Sequence, residues 1–144
     1  MATGTHIRLV LWKAAKAVEK IDKASIAQTG LGRSDFAIME ALLHKGSLTI
    51  NQIGKKVLLT SGSMTAAINR LEKSGLVKRV RDQSDGRYFY VHLTKNGRDI
   101  INEAYGNHQL NLEKIAAILT DEERKELVRL LKKMGFHADK IVIS

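Results

Sequence analysis

Residues 49–93 read TINQIGKKVLLTSGSMTAAINRLEKSGLVKRVRDQSDGRYFYVHL, and the order of elements in this stretch decides the fold. Thr49 followed three positions later by Gln52 is a capping-box pattern, in which each side chain satisfies the other residue's backbone N–H at a helix start. It opens a short helix through about Val57, with Ile50, Ile53 and Val57 facing inward. Beyond Leu58 and Leu59, Thr60 and Ser61 offer caps for a second helix. There Met64, Ala67, Ile68 and Leu71 repeat on one side until Gly75 stops it. Residues 76–81 and 87–93 are then rich in Val, Tyr and Phe and flank an Asp85-Gly86 turn, the pattern of a β-hairpin. Two helices across a tight turn, followed by a basic hairpin, are the parts of a winged helix-turn-helix.

A helix that enters a major groove about 12 Å wide needs small or polar side chains on its outer N-terminal face. Ser61, Gly62, Ser63, Thr65, Ala66 and Asn69 supply them. Hydroxyls and the helix N-terminus suit phosphate, Thr65 and Asn69 are placed to reach base edges, and Arg70 and Lys73 to hold the DNA backbone. The same residues would also suit a solvated surface helix, and the hairpin decides between the two. Lys78, Arg79 and Arg81 lead into its turn and Arg87 follows Asp85 by two. An Arg at a wing tip can enter a minor groove, where narrow A·T-rich sequence deepens the negative potential. An acid is oddly placed for a DNA contact, so Asp85 is assigned to holding Arg87 or a neighbouring guanidinium by a charge-assisted bond.

Outward from this lobe the chain is helical. Val10, Leu11, Ala14, Val18 and Ile21 recur at helical spacing between about residues 6 and 26, with Lys13, Lys16, Lys20 and Lys23 on other faces. The apolar run from Ile7 to Trp12 is short and charge returns at Lys13, so the segment reads as an amphipathic helix, not a signal peptide. Residues 27–33 form a linker carrying Gly30 and Gly32. Ser34 then caps a helix with Phe36, Met39, Leu42 and Leu43 as its core stripe, ended by Gly46. Thr94 caps a long helix to about Leu119, and Thr120 with Glu123 forms a second capping box, opening a last helix that ends near Gly135. The expected fold is mostly α with a small β-hairpin wing. It is a single domain over the 144 residues, with a winged-helix lobe at about 34–93 flanked by helices at about 5–26 and 94–135.

Bulk properties agree. Hydrophobic residues at 44% and charged residues at 27% suit a folded globular chain, and no run of about 18 apolar residues suggests a membrane span. The absence of cysteine excludes disulfides, thiolate metal sites and thiol redox sensing, and suits a reducing cytoplasm. The net charge of +9 points to a polyanionic partner, which the helix pair and basic hairpin identify as double-stranded DNA. Its placement sharpens this: residues 47–97 hold nine basic and three acidic side chains, so this third of the chain carries +6 of the +9.

Other chemistries find little support. There is no Gly-x-Ser-x-Gly elbow, no zinc-protease motif and no apolar pair of carboxylates, so no enzyme and no cofactor are expected. His6, His44, His92, His108 and His137 include no pair at the i, i+4 spacing of helical metal ligands. Gly30-Leu31-Gly32-Arg33-Ser34 lacks the Lys-Ser/Thr pair of a phosphate loop and reads as a linker. Trp12, Phe36, Met39, His44, Tyr105 and His108 are candidates to line a ligand pocket between flanking helices and lobe, although aromatic residues at helical spacing build cores as readily.

Residues 48–97 resemble the MarR family of winged-helix regulators. The likeness is carried by Asp85-Gly86-Arg87 with Val91, Leu93-Thr94 and Gly97, which resembles that family's wing signature. The run from Leu71 to Arg79 (LEKSGLVKR) is similar to its recognition-helix exit and first wing strand. Residues 36–63 look similar to the quinone- and catechol-responsive branch. The resemblance implies that the first helix and the last two are dimerisation helices. It further implies a homodimer on a pseudo-palindromic operator, commonly a repressor released by a small phenolic or anionic effector. Two departures stand out: Gly86 occupies a position where the family often has Arg, and no cysteine is present for the peroxide-sensing modes of some relatives. The competing reading is a winged-helix adaptor that binds protein instead of specific DNA, which the basic residues of the hairpin argue against.

Overall fold

The computed structural model describes residues 1–57 and 61–144. Helix α1 (Gly4–Ala27) is capped by Thr3, whose hydroxyl accepts from the His6 N–H. Helix α2 (Arg33–Lys45) starts earlier than Ser34 would place it. Gly32 occupies the cap position and accepts the first helical bond from the Phe36 N–H at 2.9 Å, which puts Ser34 inside the first turn. Thr29 sets this entry, donating to the Ile26 carbonyl at 2.6 Å and accepting from the Leu31 N–H at 3.1 Å. Gly46, at φ +77°, ends α2 in a backbone conformation that a Cβ disfavours.

The Thr49–Gln52 capping box forms, with bonds of 2.9 and 3.2 Å, and opens α3 (Ile50–Val57). The expected Thr60 cap, with Leu58 and Leu59, lies outside the described residues. Ser61, the other cap candidate, is the first residue of α4 (Ser61–Lys73). Gly75, at φ +75°, closes α4 by donating to the Glu72 carbonyl at 3.0 Å, while the Leu76 N–H donates to the Leu71 carbonyl at 2.9 Å. This pair of bonds is a Schellman motif, and buried Leu71 and Leu76 supply its usual apolar contact.

Strands β2 (Val77–Arg81) and β3 (Phe89–Leu93) pair antiparallel from Val77↔Leu93 to Arg81↔Phe89. A two-residue strand, β1 (Leu48–Thr49), pairs on the other side of β3 to give the order β1-β3-β2. The sequence reading contains no such strand, because two residues are too few to show the period-two alternation that marks one. The hairpin connection also differs from a tight Asp85-Gly86 turn and runs over residues 82–88. The Asp85 carboxylate takes the Arg87 backbone N–H at 3.1 Å, and the Tyr88 N–H donates to the Asp85 carbonyl at 3.1 Å, so Arg87 and Tyr88 leave the ladder.

The core lies where α2, α3, α4 and the sheet meet α5 (Lys95–Ala116). Phe36, Ile38, Met39, Leu42, Ile53, Met64, Ile68, Val91 and Ile101 are at most 1% exposed there. Each such side chain contributes about 1.5–3 kcal/mol through burial. The start of α5 is fixed to the exit of α4. Thr94 donates its N–H to the Leu76 carbonyl at 3.1 Å and its hydroxyl to the Gly75 carbonyl at 2.7 Å, and it accepts from the Gly97 N–H at 3.0 Å. Any Cβ at Gly97 would stand 2.0 Å from the Leu76 carbonyl oxygen, so this crossing requires glycine. Helix α6 (Asp121–Ala138) opens on the expected Thr120–Glu123 capping box. It buries none of its residues, and α1 buries only Ser25 and Ile26. No described helix is long and apolar enough to cross a membrane.

Candidate nucleic-acid interface

Helix α4 is divided lengthwise. Met64, Ala67, Ile68 and Leu71 are at most 2% exposed on its inner side, and this packing turns Gly62, Ser63, Thr65, Ala66, Asn69, Arg70, Glu72 and Lys73 outward, all exposed. The first half of the outer face is small and polar. The second half is a charged network that ties the helix to its neighbours. Arg70 Nη2 lies 2.8 Å from Asp35 Oδ1 in the first turn of α2. Arg79, on β2, turns back toward α4: its Nη2 donates to Asn69 Oδ1, its backbone N–H donates to Glu72 Oε2 at 3.2 Å, and its Nε is 3.9 Å from Glu72 Oε1.

At the wing tip Arg87 is 83% exposed and held by Asp85 through a two-pronged contact, Nε to Oδ1 at 3.0 Å and Nη2 to Oδ2 at 2.8 Å. The guanidinium bonds, followed by the bond from the Arg87 backbone N–H, hold the Asp85 carboxyl below the usual carboxylate range, and Arg87 is raised in turn. A fork–fork pair of this kind fixes the plane of the guanidinium as well as its position. Asp82 braces the loop by accepting from the Ser84 N–H at 3.0 Å. Arg81 lies 5.1 Å over the Phe89 ring and Arg87 5.9 Å over the Tyr88 ring, so both cations are backed by aromatic faces. A Cβ at Gly86 would meet only the Arg81 side chain at 3.6 Å, an ordinary contact, so packing does not demand glycine where the family often has Arg.

The eleven DNA-contact candidates thus sort into two groups. Ser61, Ser63, Thr65, Ala66, Asn69, Arg70 and Lys73 belong to α4, and Arg81, Asp85 and Arg87 to the wing, while Arg79 bridges wing root and helix. Sequence reasoning missed Glu72 and Asp35 as the partners that hold Arg79 and Arg70. An acid within a basic stretch was the available signal for Glu72.

The six pocket candidates separate. Phe36 and His108 meet edge to face at 4.8 Å, His44 and Tyr105 likewise at 4.6 Å, and Met39 is fully buried on the same helix as Phe36 and His44. Trp12 stands on the exposed N-terminal half of α1 with the Lys16 ammonium 5.3 Å from its ring. A cleft of about 950 Å³ opens elsewhere, between the end of α1, the following linker and α5, and none of the six lines it. Its walls include Ser25, Gln28, Asn107, Asn111 and Lys114. Beneath it His108 joins α5 to α1: Nδ1 is 2.8 Å from Ser25 Oγ, which also accepts from Asn111 at 3.0 Å, and Nε2 is 3.2 Å from Asp22 Oδ1. Among the described residues no three His, Asp or Glu side chains converge as a metal site requires.

Comparison with known proteins agrees with this geometry. A family model described as transcriptional regulator SarA/Rot matches residues 16–104. The chain is similar to two helix-turn-helix transcriptional regulators of Bacillus subtilis. It is 33% identical to the uncharacterized YkoM, over 89% of this chain and 85% of the relative, and 31% identical to MhqR, over 90% of each. A solved MarR family protein from Bacillus stearothermophilus superposes with a TM-score of 0.76 at 25% identity, covering 94% of this chain and 95% of that one. These relatives are regulators, not enzymes. An α4 with a polar outer face, a wing carrying an oriented arginine and a match over most of the chain lead to one assignment: the protein belongs to the MarR-type winged-helix transcriptional regulators, within the SarA/Rot family.

Proposed function

We propose that the protein is a repressor that binds a pseudo-palindromic operator as a homodimer, with α4 in the major groove and Arg87 at the minor groove. The observation that carries this reading is the Asp85–Arg87 fork, a cation held in one orientation at the exposed tip of a wing that flanks the polar face of α4. Ser63, Thr65, Ala66 and Asn69 face the groove, and Arg70, Lys73 and Arg81 neutralise phosphates beside it.

The homodimer is supported by apolar surface that the single chain leaves uncovered. Leu127, Leu131 and Met134 form one stripe of α6 and remain 38–44% exposed, and Ile7, Val10, Leu11, Val18 and Ile21 on α1 remain 39–53% exposed. Apolar stripes left exposed along a helix in this way mark protein–protein contact sites. In this scheme residues 5–26 and 94–135 join the two copies, and the 34–93 lobes read the half-sites. The resemblance to MarR regulators also points to a small phenolic or anionic effector. The cleft beside α1 and α5, with Lys114, Asn107 and Asn111 as donors, offers it room, and ligand binding there would lower DNA affinity by its preference for one separation of the two α4 helices.

The test is in vitro selection from a random duplex library at physiological salt, followed by titrations at several salt concentrations. An enriched inverted repeat with half-sites about 34 Å apart is expected. Salt-sensitive binding without a motif would instead report general polyanion affinity, and the protein-adaptor reading would replace this one.

A further inference from the structure

Asn69 is exposed on the outer face of α4, yet its side-chain amide is not free to turn. Its Oδ1 accepts from Arg79 Nη2, and an arginine can only donate, so the carbonyl end faces the guanidinium and the NH2 end faces away. Arg79 is itself anchored, by its backbone N–H on Glu72 Oε2 at 3.2 Å and by Glu72 Oε1 at 3.9 Å from its Nε. The amide is therefore oriented from behind by a residue of the wing root.

This changes what an asparagine can read. An unconstrained asparagine pairs with adenine through both ends, accepting from N6 and donating to N7. Here one of the two lone pairs of Oδ1 is taken by a cation, which weakens the oxygen as an acceptor, and an adenine amino group brought to it would approach the guanidinium donor against donor. The unencumbered end is an N–H donor, polarised further by the positive charge bonded to the other end of the same amide. We propose that Asn69, held by Arg79, selects a guanine, whose major-groove edge offers only the acceptors N7 and O6, over adenine at one step of each half-site. Arg79 is then a positioning residue that acts through Asn69 and does not contact DNA. The inference rests on α4 lying in the major groove.

The experiment is sequencing-based selection with the full-length protein and three variants, Asn69→Ala, Asn69→Asp and Arg79→Met, each checked by circular dichroism for native helix content. Because Asn69 is exposed, its two variants test the proposal even if Arg79→Met fails to fold. Wild type is expected to prefer guanine over adenine at one step per half-site by about fivefold to a hundredfold. Asn69→Ala flattens that step alone. Asn69→Asp keeps the bond to Arg79 but presents an accepting oxygen outward, so preference moves to a base with an exposed amino donor, cytosine or adenine. Arg79→Met releases the amide, and the guanine-to-adenine ratio falls at least about fivefold. A clear operator whose profile is unchanged in Asn69→Ala, or an Asn69-dependent step that selects adenine with Arg79 intact, overturns the inference while leaving the DNA reading standing. Wild type that enriches no motif overturns both.

Discussion

The helices of the lobe and the helices at the two ends carry apolar residues with the same periodicity, and those residues meet different fates. In α2 and α4, Phe36, Met39, Leu42 and Ile68 are at most 1% exposed; in α1 and α6, Val10, Trp12, Val128 and Leu130 are 47–53% exposed. Side-chain hydrophobicity does not separate the two sets. The lobe helices are short and pack against one another, so each has neighbours on its inner side within the same chain. Helix α1, at 24 residues, spans about 36 Å and outruns the lobe, and α6 follows α5 away from the core. A helical stripe therefore establishes that a face must be covered, without establishing by what. In the lobe the cover is the chain itself, and at the ends, on our reading, it is a second copy.

The comparison breaks most visibly with Phe36→Ala. This core truncation is expected to cost about 3–5 kcal/mol in urea unfolding, at any protein concentration. Next comes the paired change Leu127→Glu with Leu131→Glu. It should leave the fold of the lobe intact by circular dichroism while weakening self-association at least about a hundredfold in sedimentation, since two unpaired charges enter an apolar contact. A loss of stability that did not depend on concentration would mean that α6 packs within its own chain and that the two regions are alike. Gly97→Ala tests the joint between them. With the Leu76 carbonyl 2.0 Å from the new Cβ, backbone must shift, and destabilisation of about 1–3 kcal/mol is expected in the same urea assay.

The smaller effects lie at the wing. Arg87→Ala should leave the unfolding midpoint unchanged and weaken operator binding about ten- to a hundredfold in titrations at fixed salt. Undiminished affinity would remove the wing from the interface. Asp85 supplies the finest test. Its folded pKa lies below its unfolded value, so its contribution is present above the unfolded pKa and disappears as pH falls through the folded one. NMR titration of the carboxyl carbon should place its midpoint below that of an ordinary Asp, and Arg87→Ala should move it part of the way back, since the backbone N–H of residue 87 still donates to the carboxylate.

Much of the fold is local and legible in the sequence. The capping boxes at Thr49 and Thr120, the Thr94 cap and the glycine stops at Gly46 and Gly75 depend on residues no more than about five positions apart, and the order of helices and hairpin follows from them. The Asp85–Arg87 pair was legible for the same reason, being two residues apart. The start of α2 was misread because Gly32 caps it without any side-chain bond, leaving nothing in composition to mark it. The six pocket candidates were chosen by aromatic character at helical spacing, which cannot distinguish Phe36, packed on His108, from Trp12, standing in solvent.

What the sequence determined by itself is the inventory of elements and the chemistry of the outer faces of α4 and the wing, because helical period, capping and turn formation act over a few residues. Only the tertiary structure decided the third strand β1, the cleft between α1 and α5, and the contacts that orient the site. Asp35 reaches Arg70 across 35 positions of sequence and Ser25 reaches His108 across 83, while Arg79 folds back from β2 to fix Asn69. Such contacts depend on how whole elements pack, and no local pattern of residues records that packing.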